Sequence, residues 1–242
     1  MGTYVCSDIH GSYDLFMRLL DACGITDGDT VYILGDVLDK GKDSFRLLDF
    51  VRRTPNLRLI CGNHEQMLKD VYQEEMRRYT GDNEELVLRR IRRRYPECGT
   101  DLDWDLLEFV DGLPYFVETE DFIGVHAGVE LTPDGKILPL ARQDPKVLVY
   151  DRHFQDPDVI PVTEKPVLFG HTPTCYENGT GEFIKTPRRG RERGTTLSDY
   201  AKIRLDTGVF FTGRLGMLRV DDLREFYVNE TFNPNAIPTR EA

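Results

Sequence analysis

The sequence predicts an α/β fold in which two mixed β-sheets stack on one another between flanking helices, and three observations carry that prediction. Over roughly the first 80 residues, short β-type runs alternate with segments whose apolar residues fall at helical spacing. From Pro114 onward the chain becomes rich in short β-type runs. In both halves, compact motifs follow directly on predicted strands: SDIHG (Ser7–Gly11), GDVLDKG (Gly35–Gly41), GNHE (Gly62–Glu65), HAG (His126–Gly128) and GHT (Gly170–Thr172).

The elements follow in order. Thr3–Cys6 reads as a strand, and Tyr13–Cys23 as a helix with Leu15, Phe16, Leu19 and Leu20 on one face. Thr30–Leu34 is the second strand and Ser44–Val51 the second helix, through Phe45, Leu47, Leu48 and Val51. Leu57–Cys61 and Gln66–Arg78 repeat the pattern. Such alternation implies right-handed βαβ units, parallel pairing and a ligand crevice beyond the carboxyl ends of the strands, where the first three motifs sit. Residues 79–111 are highly charged, with Pro96 and Gly99 interrupting helical patterns at Glu84–Arg94 and Trp104–Val110. They read as a helical insertion or cap without chemistry of its own. Strands are expected at Tyr115–Glu118, Phe122–Val125, Val167–Phe169, Lys202–Leu205, Leu215–Val220 and Glu225–Val228, forming the second sheet. Both halves carry motifs and no low-complexity linker parts them, so residues 1–242 are expected to fold as one domain.

Composition narrows the functional class. The 242 residues are 40% hydrophobic, enough for a full core, and their net charge of −11 disfavours wholesale binding to nucleic acid or an anionic membrane. Without a long apolar run, and with a motif starting at Ser7, the chain reads as soluble and cytoplasmic. Its five cysteines contain no CxxC pair, which argues against a disulfide framework or a zinc knuckle. Of two basic clusters, Arg89–Arg94 reads as a solvated helix face beside Glu84 and Glu85, and Arg188–Arg193 as an exposed loop.

Histidine usage points to chemistry. Four of the five histidines, His10, His64, His126 and His171, lie inside the motifs, and only His153 lies outside. A string such as GNHE arises about once in 10^5 positions by chance, so an ordered series of such strings is informative. Asp8 and His10 are two apart at a strand end, so in extended geometry both face one side and hold one metal ion. Asp36 ends the neighbouring strand, and its two carboxylate oxygens can bridge two cations. Asn63 offers a neutral oxygen, and His126 and His171 offer imidazoles for the second ion. Oxygen and imidazole donors without thiolate fit manganese, iron or zinc better than calcium.

The ordered motifs resemble those of the calcineurin-like metallophosphoesterases, specifically the phosphoprotein phosphatase branch, with its GDxHG, GDxVDRG, GNHE, HGG and GHT pattern. The likeness spans residues 7–172, and Leu205–Val220 (LDTGVFFTGRLGMLRV) is similar to the closing strands of bacterial members. It implies a four-layer αββα sandwich holding two divalent ions, manganese in first place and iron or zinc as alternatives. Asp8, His10 and Asp36 would hold the first, and Asp36, Asn63, His126 and His171 the second. A bridging water or hydroxide would attack phosphorus in line. His64 would protonate the leaving group, with Asp39 fixing its tautomer.

Lys40 stands where the family has Arg, and a point charge replaces a bidentate fork. Together with Asn63, Lys40 is expected to contact the substrate phosphate, as is Arg152, with Arg142 as its fallback. Ser7 replaces a Gly and is expected to leave metal binding intact. The implied substrates are phosphoserine or phosphothreonine in proteins, or small phosphomonoesters, with no nucleic acid or membrane partner. A second reading is hydrolysis of dinucleoside polyphosphates, with Tyr150, Phe154 or the 79–111 segment stacking on a nucleoside. A third, a non-catalytic scaffold, gives His64 and Asp39 no purpose.

Overall fold

The computed structural model describes residues 1–191 and 194–230. Glu192 and Arg193 of the second basic cluster, and residues 231–242 at the end of the expected domain, lie outside the described residues.

The first half alternates as its apolar spacing requires. Strands β1 (Thr3–Cys6), β2 (Thr30–Ile33) and β3 (Leu57–Leu59) are each followed by a helix, α1 (Tyr13–Cys23), α2 (Ser44–Arg53) and α3 (Asn63–Met76). The strands pair in parallel, with Val5 opposite Tyr32 and Tyr32 opposite Arg58. Helix α3 begins three residues before its expected start. Glu65 accepts the Gly62 N–H at 3.0 Å, and that cap carries Asn63 and His64 into the first helical turn.

Helices α4 (Glu84–Arg94) and α5 (Trp104–Asp111) flank a 3₁₀ turn at Pro96–Cys98. The arginines of α4 meet acidic partners: Arg90 with Glu75 at 3.0 Å, Arg92 with Glu85 at 3.1 Å and Arg94 with Glu74 at 2.9 Å. This cluster is therefore largely neutralised on its own surface. Then come β4 (Phe116–Glu118), β5 (Ile123–Val125), α6 (Pro145–Tyr150), β6 (Val167–Phe169), α7 (Cys175–Asn178), β7 (Ile184–Pro187), β8 (Tyr200–Arg204), α8 (Val209–Thr212), β9 (Arg214–Arg219) and β10 (Arg224–Asn229).

Two five-stranded mixed sheets result, ordered β10-β9-β1-β2-β3 and β4-β5-β6-β8-β7. The last two strands correct the sequence expectation, because they join the first sheet and not the second. Strand β9 runs antiparallel to β1, with Val5 opposite Leu218. Its alternation explains the placement: Leu215 and Met217 pack with the helical layer around Phe16 and Leu19, while Leu218 packs between the sheets. Strand β7 escaped sequence reading because it is polar and ends in Pro187. It sits at the edge of the second sheet with an irregular register at Thr186 and Pro187, where a missing N–H is tolerated.

Val5, Tyr32 and Leu34 from the first sheet meet Leu168, Ile203 and Phe122 from the second in one buried layer. The Tyr32 and Phe122 rings cross edge to face at 5.5 Å, an arrangement worth about 0.5–1.5 kcal/mol beyond area burial. Helices cover the outer face of the first sheet. Leu148 and Val149 of α6, with Phe154, cover the second. Stacking in this way aligns the carboxyl ends of β1, β2, β5 and β6 at one edge.

Candidate metal centre

The chain turns sharply as it leaves these strands. Asp8, His10, Asp36, Asp39, Lys40 and His171 all have φ between 47° and 67°, and Leu223 is the one other non-glycine residue with positive φ among those described. Asp8 and His10 therefore converge through left-handed turns, not through the strand alternation the sequence suggested. Left-handed backbone costs an L-residue about 1–2 kcal/mol, least for short polar side chains. Concentrating that cost here brings the donors together.

Two glycines are sterically required for this convergence. A Cβ on Gly170 would lie 2.1 Å from both Asp8 Oδ2 and Ser7 Oγ, and one on Gly62 would lie 2.3 Å from Asp36 Oδ1. Supporting hydrogen bonds then orient each donor. Ser7 Oγ donates to Asp8 Oδ2 at 2.5 Å and the His171 N–H donates to the same oxygen at 3.0 Å, leaving Asp8 Oδ1 toward the centre. His10 Nδ1 bonds the Leu38 carbonyl at 2.8 Å and His126 Nδ1 bonds that of Leu34 at 2.7 Å, which turns both Nε2 atoms inward.

Asp36 sits in the middle. Its Oδ2 is 3.8 Å from His10 Nε2, and its Oδ1 is 3.4 Å from His126 Nε2. One carboxylate thus faces two donor groups through different oxygens, as a bridging ligand must. Asn63 Oδ1 lies 2.9 Å from His126 Nε2 and 2.8 Å from His171 Nδ1. His171 Nε2 is buried without a hydrogen-bond partner. Asp36, His126 and His171 each offer a donor atom within 4.8 Å of one another, and carboxylate, amide and imidazole donors gathered this closely fit a site for divalent cations.

The four motif histidines divide electrostatically. Burial drives His10 and His126 below the usual imidazole range and takes His171 down to about 3. These three are neutral, the form that ligates metals. Burial alone would also lower His64, but the hydrogen bond its Nδ1 donates to Asp39 and the charges of Asp36, Asp39 and Glu65 outweigh it and raise the ring. His64 Nδ1 is 2.5 Å from Asp39 Oδ2, and its Nε2 is 3.7 Å from Asp36 Oδ2. Asp39 is held below the usual carboxylate range because its bonds to His64 and Cys98 overcome burial.

Lys40 is exposed at the rim, its Nζ 2.8 Å from His10 Nε2. It lines a cleft together with His10, His171 and Arg152. Arg142 is exposed on the 3₁₀ turn Leu140–Arg142 and is not among the residues lining this cleft. Phe154, expected as a stacking residue, is corrected by its burial. It is 1% exposed, covered by Phe169 at 5.1 Å and the Lys202 ammonium at 5.2 Å.

The roles of three residues escaped sequence reading. The buried Glu65 carboxylate accepts the N–H groups of Asp36, Val37 and Leu38 at 2.7, 2.9 and 3.1 Å, and so fixes the loop that carries Asp36. Ser7 locks Asp8. Asp206, buried against the cleft and pushed well above the carboxylate range by burial and then by Asp8, follows strand β8 as Asp8 follows β1. That shared position at a strand end was the available signal.

Comparison with known proteins bears on the family and the fold. A family model described as calcineurin-like phosphoesterase matches residues 1–186. Curated relatives include the symmetrical bis(5'-nucleosyl)-tetraphosphatase of Erwinia tasmaniensis, 40% identical over 74 residues, covering 30% of this chain and 27% of the relative. The enzyme of the same name from Neisseria gonorrhoeae is 28% identical over 131 residues, covering 53% and 44%. These matches span less than half of either relative's length. Among solved structures, one provisionally assigned as a diadenosine tetraphosphatase superposes with a TM-score of 0.66 at 18% identity, over 94% of this chain and 93% of that one. A Saccharomyces cerevisiae serine/threonine phosphatase with similarity to human phosphatase PP5 gives 0.53 at 14% identity, over 97% and 82%. At such identities the likeness is one of fold.

Proposed function

The chain belongs to the calcineurin-like phosphoesterase family, a metal-dependent phosphatase class, and from that membership we propose that it hydrolyses phosphoesters at a two-metal centre. Asp8, His10 and Asp36 would hold one divalent ion, and Asp36, Asn63, His126 and His171 the other. The mixed oxygen and imidazole donors suit manganese, with iron or zinc as alternatives. Two such ions supply a water of lowered pKa and neutralise the phosphate oxygens.

The remaining chemistry belongs to side chains. Lys40 and Arg152 would draw the substrate phosphate into the cleft, with Asn63 beside it. His64, protonated through Asp39, would give its proton to the departing oxygen. The observation that carries this reading is the division of the histidines. Three rings that burial holds below the usual imidazole range gather around Asp36, and the fourth bonds the Asp39 carboxylate through its far nitrogen, which raises it.

Two substrate classes suit the centre, phosphoserine or phosphothreonine in proteins and dinucleoside polyphosphates. The activity named for the curated relatives favours the second. Manganese-loaded protein should be assayed side by side on a phosphoserine peptide, p-nitrophenyl phosphate and diadenosine tetraphosphate. We expect turnover that chelation abolishes, fastest on the dinucleotide. Protein holding both ions yet inert toward all three would overturn the proposal, and strong preference for the peptide would return the first class.

A further inference from the structure

The cleft beside the candidate metal centre is open to solvent, has a cavity volume of about 110 Å³ and has two unlike walls. One carries the cations Lys40 and Arg152. The other is aromatic, built from Tyr176 on α7 and Phe210 and Phe211 on α8.

These rings are unusually exposed for their type, at 59%, 58% and 52%. The described residues hold only four large exposed aromatic side chains, and three of them border this cleft. The rings also touch one another: Tyr176 and Phe211 are 5.5 Å apart by centroid, and Phe210 and Phe211 5.6 Å at 85°.

Their backbone is fixed relative to the centre. The Thr174 N–H bonds the Asp206 carbonyl at 2.8 Å, and the Gly208 N–H bonds Asp206 Oδ1 at 2.8 Å. Gly208, at φ +68°, lies so near α7 that a Cβ there would come within 2.7 Å of Cys175 Sγ. Asp206 thus ties both aromatic turns to the strand end beside Asp8. A water-exposed aromatic cluster held this firmly suits a flat ligand, because stacking is favourable only for a planar partner.

We propose that Tyr176, Phe210 and Phe211 form a nucleobase subsite, so that a purine nucleotide lays its base on the aromatic wall and its phosphates along Lys40 and Arg152. The proposal rests on the phosphoesterase reading above. Charge supports this occupant, since two cations line the cleft of a chain whose net charge is −11. Geometry separates it from the alternatives. The leaving groups of phosphoserine and phosphothreonine offer no ring. A phosphotyrosine ring is bonded directly to the ester oxygen and would sit at His64, whereas a nucleobase is set back from its phosphates by a ribose and can reach the wall.

The test uses full-length, manganese-loaded protein and the double variant Phe210→Ala/Phe211→Ala, with Phe210→Ala alone as a milder second variant. The ratio of KM for diadenosine tetraphosphate to KM for p-nitrophenyl phosphate should rise roughly tenfold, as expected for a lost stacking contact, with kcat for the dinucleotide little changed. Saturation-transfer NMR with ADP as probe should show the adenine protons in contact with protein, and the variants should lose that signal. An unchanged KM ratio together with an unchanged adenine signal would overturn the subsite while leaving the phosphoesterase reading intact. A rise in KM confined to phosphopeptides would also overturn it. Absence of all turnover would instead defeat the phosphoesterase reading, and the adenine signal would then decide the subsite alone.

Discussion

Cys98 Sγ lies 3.1 Å from Asp39 Oδ1, while the other oxygen of that carboxylate is bound to His64 Nδ1. The 79–111 segment, expected to lack chemistry of its own, therefore reaches the candidate acid through a buried thiol. Burial, then the neighbouring Asp39, pushes this thiol up to about 12, so it remains a donor. Losing one such hydrogen bond costs about 1 kcal/mol. Cys98→Ala should lower kcat roughly fivefold on a phosphoserine peptide, and less on p-nitrophenyl phosphate, whose leaving group needs little help from an acid. Cys98→Ser should restore the loss. Equal losses on both substrates, or failure of serine to rescue, would reduce Cys98 to a packing residue.

His64→Asn should cut turnover of the phosphoserine peptide by about 10²- to 10⁴-fold. Both metals should remain, as counted by elemental analysis of the purified variant. The effect on diadenosine tetraphosphate should be smaller, because a phosphate leaving group departs without a proton. If metal disappears along with activity, His64 is a ligand and not an acid.

Asp36→Asn should behave differently. With one oxygen exchanged for an amide nitrogen, it can no longer face both donor groups as an acceptor. We expect metal content to fall to one ion or none, with activity below detection. Retention of two ions per chain would show that Asp36 is not the bridge.

The metal-free protein should also report on Asp8. Burial raises its carboxyl from 3.8 to about 6. A raised carboxylate pKa contributes stability that is fully present below 3.8 and lost as pH rises through about 6. Metal binding must expel this proton. The gain in melting temperature on adding manganese should therefore grow between pH 5 and pH 7, measured by paired thermal melts. A gain independent of pH would separate Asp8 from the metal.

Much of this architecture was legible in the sequence, for physical reasons that differ by element. Helices α1 and α4 have the bounds their apolar spacing predicts, because each buries one continuous stripe. The gathering of Asp8, His10, Asp36, Asn63, His126 and His171 was legible because Asp, His and Asn recur beside glycine directly after predicted strands. The sheet assignment of β9 was not, since a strand buried on both faces fits either sheet. Glu65 and Ser7 were missed because they act on the backbone and on a neighbouring carboxylate, which one residue type cannot signal. Stacking was sought at Tyr150, Phe154 or the 79–111 segment, and the neighbourhood of Phe154 in the sequence does not disclose that Lys202 and Phe169 cover it.

The six left-handed residues around the candidate centre carry an evolutionary consequence. At each, glycine would relax the backbone by about 1 kcal/mol while deleting a side chain of the candidate site. Selection for heat resistance alone would therefore erode this centre first, and the sturdiest descendants of the chain would be its inert ones.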